Sequence, residues 1–556
     1  AIPSSESPII PARKKSGRAA MRKAASVGRS IAAASLASLR VAERGVFAIV
    51  LIRLIQRLLR QGLMRGAVKP LLSYLIAGAK KLPGAKKIVQ GELDKEVAQI
   101  EQSMLGDGDA DAIVMLPSEG LAADDLKARI AALRAADGQA STSDHSWAGI
   151  YHPSGTALSS LQLSAIEGYH ESNTLYPGVF PSLRKLEAEV VAMIVQMVHG
   201  NCGLFTSGGT ESILIATLAY REWGRHHGIE SPEVICCRTA HPAIDKACHY
   251  FGLQLITLDQ GASQELEPSA VQRALTRNTV MVYASAPTFP HGIVDPIEEL
   301  GSLCMQHGVG LHVDNCLGGI YLSFLHKLGV FQKQFDFRVP GVTSMSVDLH
   351  KYGYASKGAS VVVFRDPELR RLTYVPVAGL EFYITPTLQG SRGGATVAAA
   401  WATLLHFGES GYSQQAQKLW SMHEAISNAV PEIPGLRLLL SSHACVIPIV
   451  GVEDLNIHAV ASEMEKRGWN LFTAREPNCM CLCYGEQHVE LTGKFIQDLR
   501  LSVDHVREHP REKVQGGASI YGAASLLPDD VLKEAMRSYC DIKLTVKPLD
   551  PPRSVL

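Results

Sequence analysis

The sequence contains no GxxxxGKS or GxxxxGKT and no GxGxxG, so neither a P-loop nor a dinucleotide-binding turn is present. Its 11 cysteines form no CxxC pair and no zinc-ligand spacing, and no metal site is expected. An odd number of cysteines scattered through a large chain argues for free thiols in a reducing compartment. Cys479, Cys481 and Cys483 come nearest to a cluster, but their period of two puts them on one face of a strand, where buried packing accounts for them. Glycine and proline stay near ordinary usage and no internal repeat is visible, which excludes fibrous and low-complexity classes. Net charge is absent as well, with 54 basic residues against 54 acidic ones. What remains is a 556-residue chain that is 46% hydrophobic, long enough for two to four domains.

The charge balance hides an asymmetry. Residues 1–90 hold 18 Lys and Arg against two acids, Glu6 and Glu43, which leaves 36 bases and 52 acids for the rest. A basic tail is therefore joined to an acidic body. The body has no charge reason to bind nucleic acid, whereas the tail suits an anionic membrane or an import machinery. A spanning helix needs roughly 20 predominantly apolar residues. The run Val46–Ile52 is followed at once by Arg53 and then by Arg57 and Arg60. Each arginine costs roughly 2.5–3.5 kcal/mol at a bilayer centre unless it snorkels to an interface. Leu71–Ala77 is too short to span alone. Residues 1–90 read as a basic targeting or membrane-anchoring segment, with a single span or a transit peptide as the other readings.

Residues 91–140 have a charged helical pattern, and 91–180 are assigned to an N-terminal helical, dimer-contact region. Residues 181–420 alternate amphipathic stretches with short apolar segments. Strands are expected at Glu233–Cys237, Gln254–Leu258, Thr279–Ala284, Val309–Val313, Thr343–Val347 and Ala359–Phe364. This alternation predicts an α/β domain with a mainly parallel sheet covered on both faces. Residues 421–556 change rhythm, pairing Cys445–Val450 with Ile457–Arg467 and Cys479–Tyr484 with Val489–Val506, and read as a smaller α+β domain.

Three segments on this scaffold carry chemistry. Thr206-Ser207-Gly208-Gly209-Thr210-Glu211-Ser212 leads into a helix. Its glycines let backbone N–H groups approach a ligand, its hydroxyls add donors, and the helix start favours an anion. Alone, such a turn is weak evidence. Asp314 ends the strand Leu311-His312-Val313, at the edge where open α/β sheets bind ligands. Lys351, in Asp348-Leu349-His350-Lys351-Tyr352-Gly353, follows another strand and is a Schiff-base candidate, with His350 beside it. A phosphate cradle, an acid for a pyridine nitrogen and a lysine together form the set that pyridoxal 5′-phosphate (PLP) requires. His241, just after a strand, is placed to stack on the ring.

The blocks FTSGGTESIL, RTAHPAIDKACHYFG, FPHGIVDPIEEL, LHVDNCLGG, FDFRVPGVTSMSVDLHKYGYASKG and AAWATLLHFGESGY closely resemble the sphingosine-1-phosphate lyase family. That family lies among the PLP-dependent group II decarboxylase relatives. The similarity runs from about Lys80 to at least Tyr521, with KKLPGAKKI and GASIYG at its ends. The resemblance implies the type I aminotransferase-like fold and a homodimer with active sites shared between subunits. It also implies cleavage of phosphorylated sphingoid bases to a fatty aldehyde and phosphoethanolamine, and a membrane location. The expected location is the endoplasmic reticulum with the body in the cytosol; the mitochondrion is the alternative. By the same resemblance Lys357 lies near the substrate, and Tyr151 and Asn173 are active-site residues. Gly390-Ser391 belongs to a loop that reaches the neighbouring subunit's cofactor phosphate, and Tyr383 precedes that loop. The cofactor set is then Ser207, Gly208, Gly209, Thr210, His241, Asp314, His350, Lys351, Gly390 and Ser391.

The chain departs from the family pattern at Tyr176, where histidine is common, and at His152, where tryptophan is usual. Asn315 stands in place of an alanine, which is expected to put a polar group near the cofactor. An amino-acid decarboxylase of the same fold and an inactive membrane-tethered scaffold are the other readings.

Overall fold

The computed structural model describes residues 113, 115–136, 145, 147, 151, 157–379, 382–440, 444–452, 454–474, 477–510 and 529–544. The basic segment 1–90, most of 91–156, and GASIYG lie outside these residues. The chain divides into two compact units, one of residues 127–522 and one of 1–126 with 523–556. Helix Asp529–Lys543 belongs to the latter. Among the described residues no helix is long and apolar enough to cross a membrane.

Unit 127–522 is built on a seven-stranded sheet. Its strands are β1 (Cys202–Thr206), β2 (Glu233–Cys237), β3 (Gln254–Leu258), β4 (Thr279–Ser285), β5 (Gly310–Asp314), β6 (Val342–Asp348) and β7 (Ser360–Phe364), in the order β1-β7-β6-β5-β4-β2-β3. Strands β2 to β6 pair in parallel, while β7 runs antiparallel to both β6 and β1. The six strands expected from the sequence are all present; β1 is the addition.

Alternate residues feed two separate cores, as the period of a strand requires. Val234, Met281 and Tyr283 pack with Ile213, Ala216 and Tyr220 of helix Gly209–His226. Ile235, Val282 and Val313 pack on the other face with Ile297, Leu300 and Cys304 of helix Ile297–His307. Covered on both sides, β4 is buried along its whole length, which explains its unbroken apolar run.

A short pair, β8 (Val377–Ala378) and β9 (Phe382–Tyr383), precedes the second sheet. That sheet is antiparallel and four-stranded: β10 (Leu436–Leu438), β11 (Val446–Gly451), β12 (Phe472–Ala474) and β13 (Cys479–Cys483), in the order β10-β11-β13-β12. Helix Gly394–Ala429 breaks at Gly408, whose φ of 56° suits glycine. It packs on helices Ala157–Tyr169, Pro181–Met197 and Thr492–Glu508, so residue 421 falls inside an element that serves both sheets.

Because β7 is antiparallel to both neighbours, β1 and β6 point the same way. The ends of β1, β5 and β6 therefore open at one edge of the sheet, and the segments after them meet there.

Candidate active site

The turn after β1 is shaped by what surrounds it. A side chain at Gly209 would put its Cβ 2.6 Å from Cys316 Sγ and 2.8 Å from both oxygens of Asp348, so only glycine fits. Gly208 has φ +150° and faces His350 Cε1, which lies 3.3 Å from where a Cβ would be. Thr206 Oγ1 and Ser212 Oγ share a 2.6 Å hydrogen bond, and Ser212 Oγ shares another, of 2.9 Å, with Ser360 Oγ on β7. This hydroxyl chain pins the first turn of helix Gly209–His226 to the sheet. Ser207 N donates to Glu211 Oε2 at 2.7 Å, while the side chains of Ser207 and Thr210 remain exposed.

Asp314 is buried at the end of β5. It accepts from Tyr283 Oη at 2.5 Å, from Cys316 N at 3.1 Å and from Ser346 Oγ at 3.2 Å. Burial alone would raise its pKa. His241, the Tyr283 hydroxyl and Lys351 outweigh that and hold the carboxyl below the ordinary aspartate range, so it is anionic at neutral pH. His241 follows β2, half-buried, with Nδ1 accepting from Ala243 N at 3.1 Å. Behind the acid, His312 Nδ1 lies 2.7 Å from Ser344 Oγ, and burial lowers its pKa to about 4, which keeps it neutral.

Lys351 Nζ lies 2.9 Å from Asp348 Oδ2. Burial opposes the ammonium, but Asp348, Cys316 and Asp314 more than compensate and raise its pKa. The Asp348 side chain is 2% exposed and its Oδ1 is buried without a partner. His350 Nδ1 accepts from Ala359 N at 3.1 Å, and Nε2 is 3.6 Å from Asp348 Oδ2. Burial, assisted by Lys357 and Lys351, lowers the His350 pKa and favours the neutral ring.

Two residues of the sequence-derived set join this cluster from farther away. The Lys357 ammonium lies 5.4 Å from the Tyr151 ring centroid and donates to the His350 carbonyl at 3.0 Å. Desolvation and then Lys351 push the Lys357 pKa down. Tyr151 is 6% exposed and its hydroxyl is 3.0 Å from Cys483 Sγ. Burial first, then Cys483, raise its phenol pKa well above the usual value.

Asn173 sits apart and organises the loop 385–392. Its Oδ1 accepts from Leu175 N at 3.0 Å and Arg392 N at 3.3 Å, and its backbone bridges to Gly393. Arg392 in turn donates to the Phe205 carbonyl on β1 at 3.3 Å, and Leu388 N donates to Glu211 Oε1 at 3.1 Å. Within one chain, the loop carrying Gly390 and Ser391 is thus anchored beside its own cradle. Tyr383 packs on it, its hydroxyl 2.5 Å from where a Gly390 Cβ would lie. Tyr176 is 55% exposed on the preceding turn.

Asn315 differs from expectation. Its amide donates to Met345 Sδ at 3.5 Å and is fully buried. Met345 and Ser346 face opposite sides of β6, and Ser346 is the one that reaches Asp314. Asn315 therefore points into the core behind the sheet rather than toward the site.

The sequence reading had no roles for Asp348, Tyr283, Glu211 and Cys483. Asp348 stands three residues before Lys351 in a quoted motif, so its proximity was readable from spacing. Tyr283 and Cys483 meet their partners only through tertiary folding.

The residues fit PLP on structural grounds. The edge combines an anionic buried acid, a lysine, and a cradle whose glycine no side chain could replace, and one buried Asp348 oxygen is unpaired. Among the described residues no group of three or more His, Cys, Asp or Glu could hold a metal.

Comparison with known proteins agrees. Residues 139–446 match the pyridoxal-dependent decarboxylase conserved domain. Sphingosine-1-phosphate lyase 1 of Rattus norvegicus is 36% identical over 81% of this chain and 80% of its own length. The sphingosine-1-phosphate lyase of Arabidopsis thaliana is 36% identical over 86% of this chain and 89% of its own. The solved sphingosine-1-phosphate lyase of Burkholderia pseudomallei superposes with a TM-score of 0.69 at 32% identity, covering 74% of this chain and 95% of that one. A glutamate decarboxylase from Lactobacillus brevis, at 17% identity and a TM-score of 0.62, shares the fold. With lyases matched along most of their length and the decarboxylase domain spanning the large sheet, the chain belongs to the sphingosine-1-phosphate lyases of the pyridoxal-dependent decarboxylase family.

Proposed function

We propose that this chain is a PLP-dependent carbon–carbon lyase that cleaves phosphorylated sphingoid bases between C2 and C3, giving a long-chain fatty aldehyde and phosphoethanolamine. The observation that carries the reading is the Lys351–Asp348 pair, 2.9 Å apart at the sheet edge where anionic Asp314 ends β5. When bound, PLP supplies an electron sink for the bond that breaks.

The protein's own groups do the rest. Asp314, kept anionic chiefly by His241 and the Tyr283 hydroxyl, would hold a proton on the pyridine nitrogen. Gly208, Gly209, Ser207 and Thr210 receive the cofactor phosphate. Asp348 Oδ2, 2.9 Å away, holds the Lys351 side chain in place at the sheet edge. As the C2–C3 bond breaks the C3 hydroxyl gives up its proton to this cluster, and Lys351, reprotonated, can return one to substrate C2. A desolvated lysine regains its ordinary basicity beside an anion, so Lys357 suits the substrate phosphate. Tyr151, whose phenol keeps its proton, can hydrogen-bond the substrate.

The test uses purified full-length chain, PLP and a labelled phosphorylated sphingoid base. Fatty aldehyde and phosphoethanolamine should appear in equal amounts. Carbon dioxide from amino acids, with no aldehyde, would replace this reading by the decarboxylase one.

We further propose a homodimer in which the loop around Gly390 and Ser391 also meets the partner's cofactor phosphate. Residues 1–90 hold the body on the cytosolic side of the endoplasmic reticulum membrane. A chain of residues 81–556 should then be soluble, active and dimeric by light scattering. An active monomer removes the dimer, while an insoluble or inactive body removes the anchoring role of the tail.

A further inference from the structure

Cys483 lies at the end of β13, in the small sheet, 332 residues along the chain from Tyr151, yet its Sγ is 3.0 Å from the Tyr151 hydroxyl. Both residues are buried, at 1% and 6% exposure. A second pair of contacts runs alongside. Tyr352, next to Lys351, packs on the Tyr151 ring with centroids 4.9 Å apart. Its hydroxyl donates to the carbonyls of Tyr484 at 2.6 Å and Cys445 at 3.2 Å. The small sheet therefore holds Tyr151 in two ways, by the ring through Tyr352 and by the hydroxyl through Cys483.

Protonation makes the second contact a hydrogen bond between two neutral groups. Burial pushes the Cys483 thiol up to about 11 and raises the Tyr151 phenol as well, so each group keeps its hydrogen at neutral pH. Only one of the two hydrogens can lie between them. Whichever group donates, the contact fixes where Tyr151 Oη lies and how its O–H is turned about the ring bond. A cysteine that merely fills space would leave that rotor undirected.

We propose that Cys483 is a positioning residue for the lyase reaction: its thiol fixes the place and orientation of the Tyr151 hydroxyl that meets the substrate. The inference rests on the reading of Tyr151 as a substrate-contacting residue.

The experiment is a double-mutant cycle on the full-length holoenzyme, using Cys483→Ala, Tyr151→Phe, the double variant and Cys483→Ser. Loss of one hydrogen bond predicts that Cys483→Ala lowers kcat about tenfold, with KM changed less than about twofold. PLP affinity, read from visible absorbance as apoenzyme is titrated, should be unchanged. Cys483→Ser keeps an O–H on a shorter arm and should recover part of kcat. In the Tyr151→Phe background Cys483→Ala should lower kcat no further. Equal losses in both backgrounds, or wild-type kcat in Cys483→Ala, overturn the proposal. Should the alanine variant melt below the assay temperature, the same cycle is run with Cys483→Ser, and equal losses again overturn it. Wild-type kcat in Tyr151→Phe refutes the reading of Tyr151 itself. A loss there combined with a silent Cys483→Ala refutes only the role of the thiol.

Discussion

Replacing Lys351 by alanine abolishes multiple turnover, a fall in kcat on the order of 10⁴-fold. That is the upper end of what positioned proton transfer contributes by itself, and the covalent role is lost with it. The same substitution weakens the fold. The Asp348 side chain is 2% exposed, has one oxygen without a partner and loses the ammonium 2.9 Å from the other. His350, at 3.6 Å and driven toward neutrality by burial, does not replace that charge. Removing one member of a buried ion pair costs about 3–5 kcal/mol, less if the carboxyl can take up a proton. Adding Asp348→Asn should therefore restore much of the lost melting temperature without restoring activity. Product formation and calorimetry on the single and double variants decide the matter. Sustained turnover without Lys351, or no recovery of stability with Asp348→Asn, contradicts these assignments.

The second large effect separates charge from packing at Asp314. Asparagine keeps the shape and an oxygen to accept from Cys316 N and Ser346 Oγ, but it has no charge with which to hold a proton on a ring nitrogen. Asp314→Asn should lower kcat on the order of 10³-fold with a modest change in melting temperature. Asp314→Ala should be as inactive and also less stable. It leaves the hydroxyls of Tyr283 and Ser346 and the Cys316 N–H without their acceptor, and each unsatisfied buried group costs about 1–3 kcal/mol. Asparagine with near wild-type kcat would mean that the acid is structural only.

These residues differ in how far they could be read before folding. The parallel strands were legible because burial on both faces writes them as short, unbroken apolar runs between amphipathic helices. β1 was not, since Cys202-Gly203-Leu204-Phe205-Thr206 is short and carries a glycine. The structure supplies the reason for that glycine: a Cβ at Gly203 would come 2.9 Å from the Val362 carbonyl of β7. The small sheet was half legible, with β11 and β13 found and the three-residue strands β10 and β12 missed. Within the site, the cradle, acid and lysine each follow a strand and announce themselves locally. Tyr283 reaches Asp314 across neighbouring strands, and Cys483 reaches Tyr151 from another sheet. Neither pairing has a sequence period to betray it. Cys479, Cys481 and Cys483 do lie on one buried strand, as their spacing implied, but spacing could not say that the last of them faces a tyrosine.

The placing of β1 also governs the order in which the enzyme can be made. Among the described residues its one partner in the sheet is β7, whose first residue, Ser360, follows Cys202 by roughly 160 positions. At about 5–20 residues per second of translation, the nascent chain carries the cradle for roughly 10–30 s before the strand that seats it has been synthesised. Through that interval β1 is an unpaired apolar edge, the kind of segment that chaperones cover and that otherwise joins a neighbouring chain. Cofactor capture is accordingly a late event, open only to chains whose synthesis has passed Phe364. A ribosome stalled between Lys351 and Phe364 would already have made Asp314 and Lys351, with no seated phosphate cradle to complete the site.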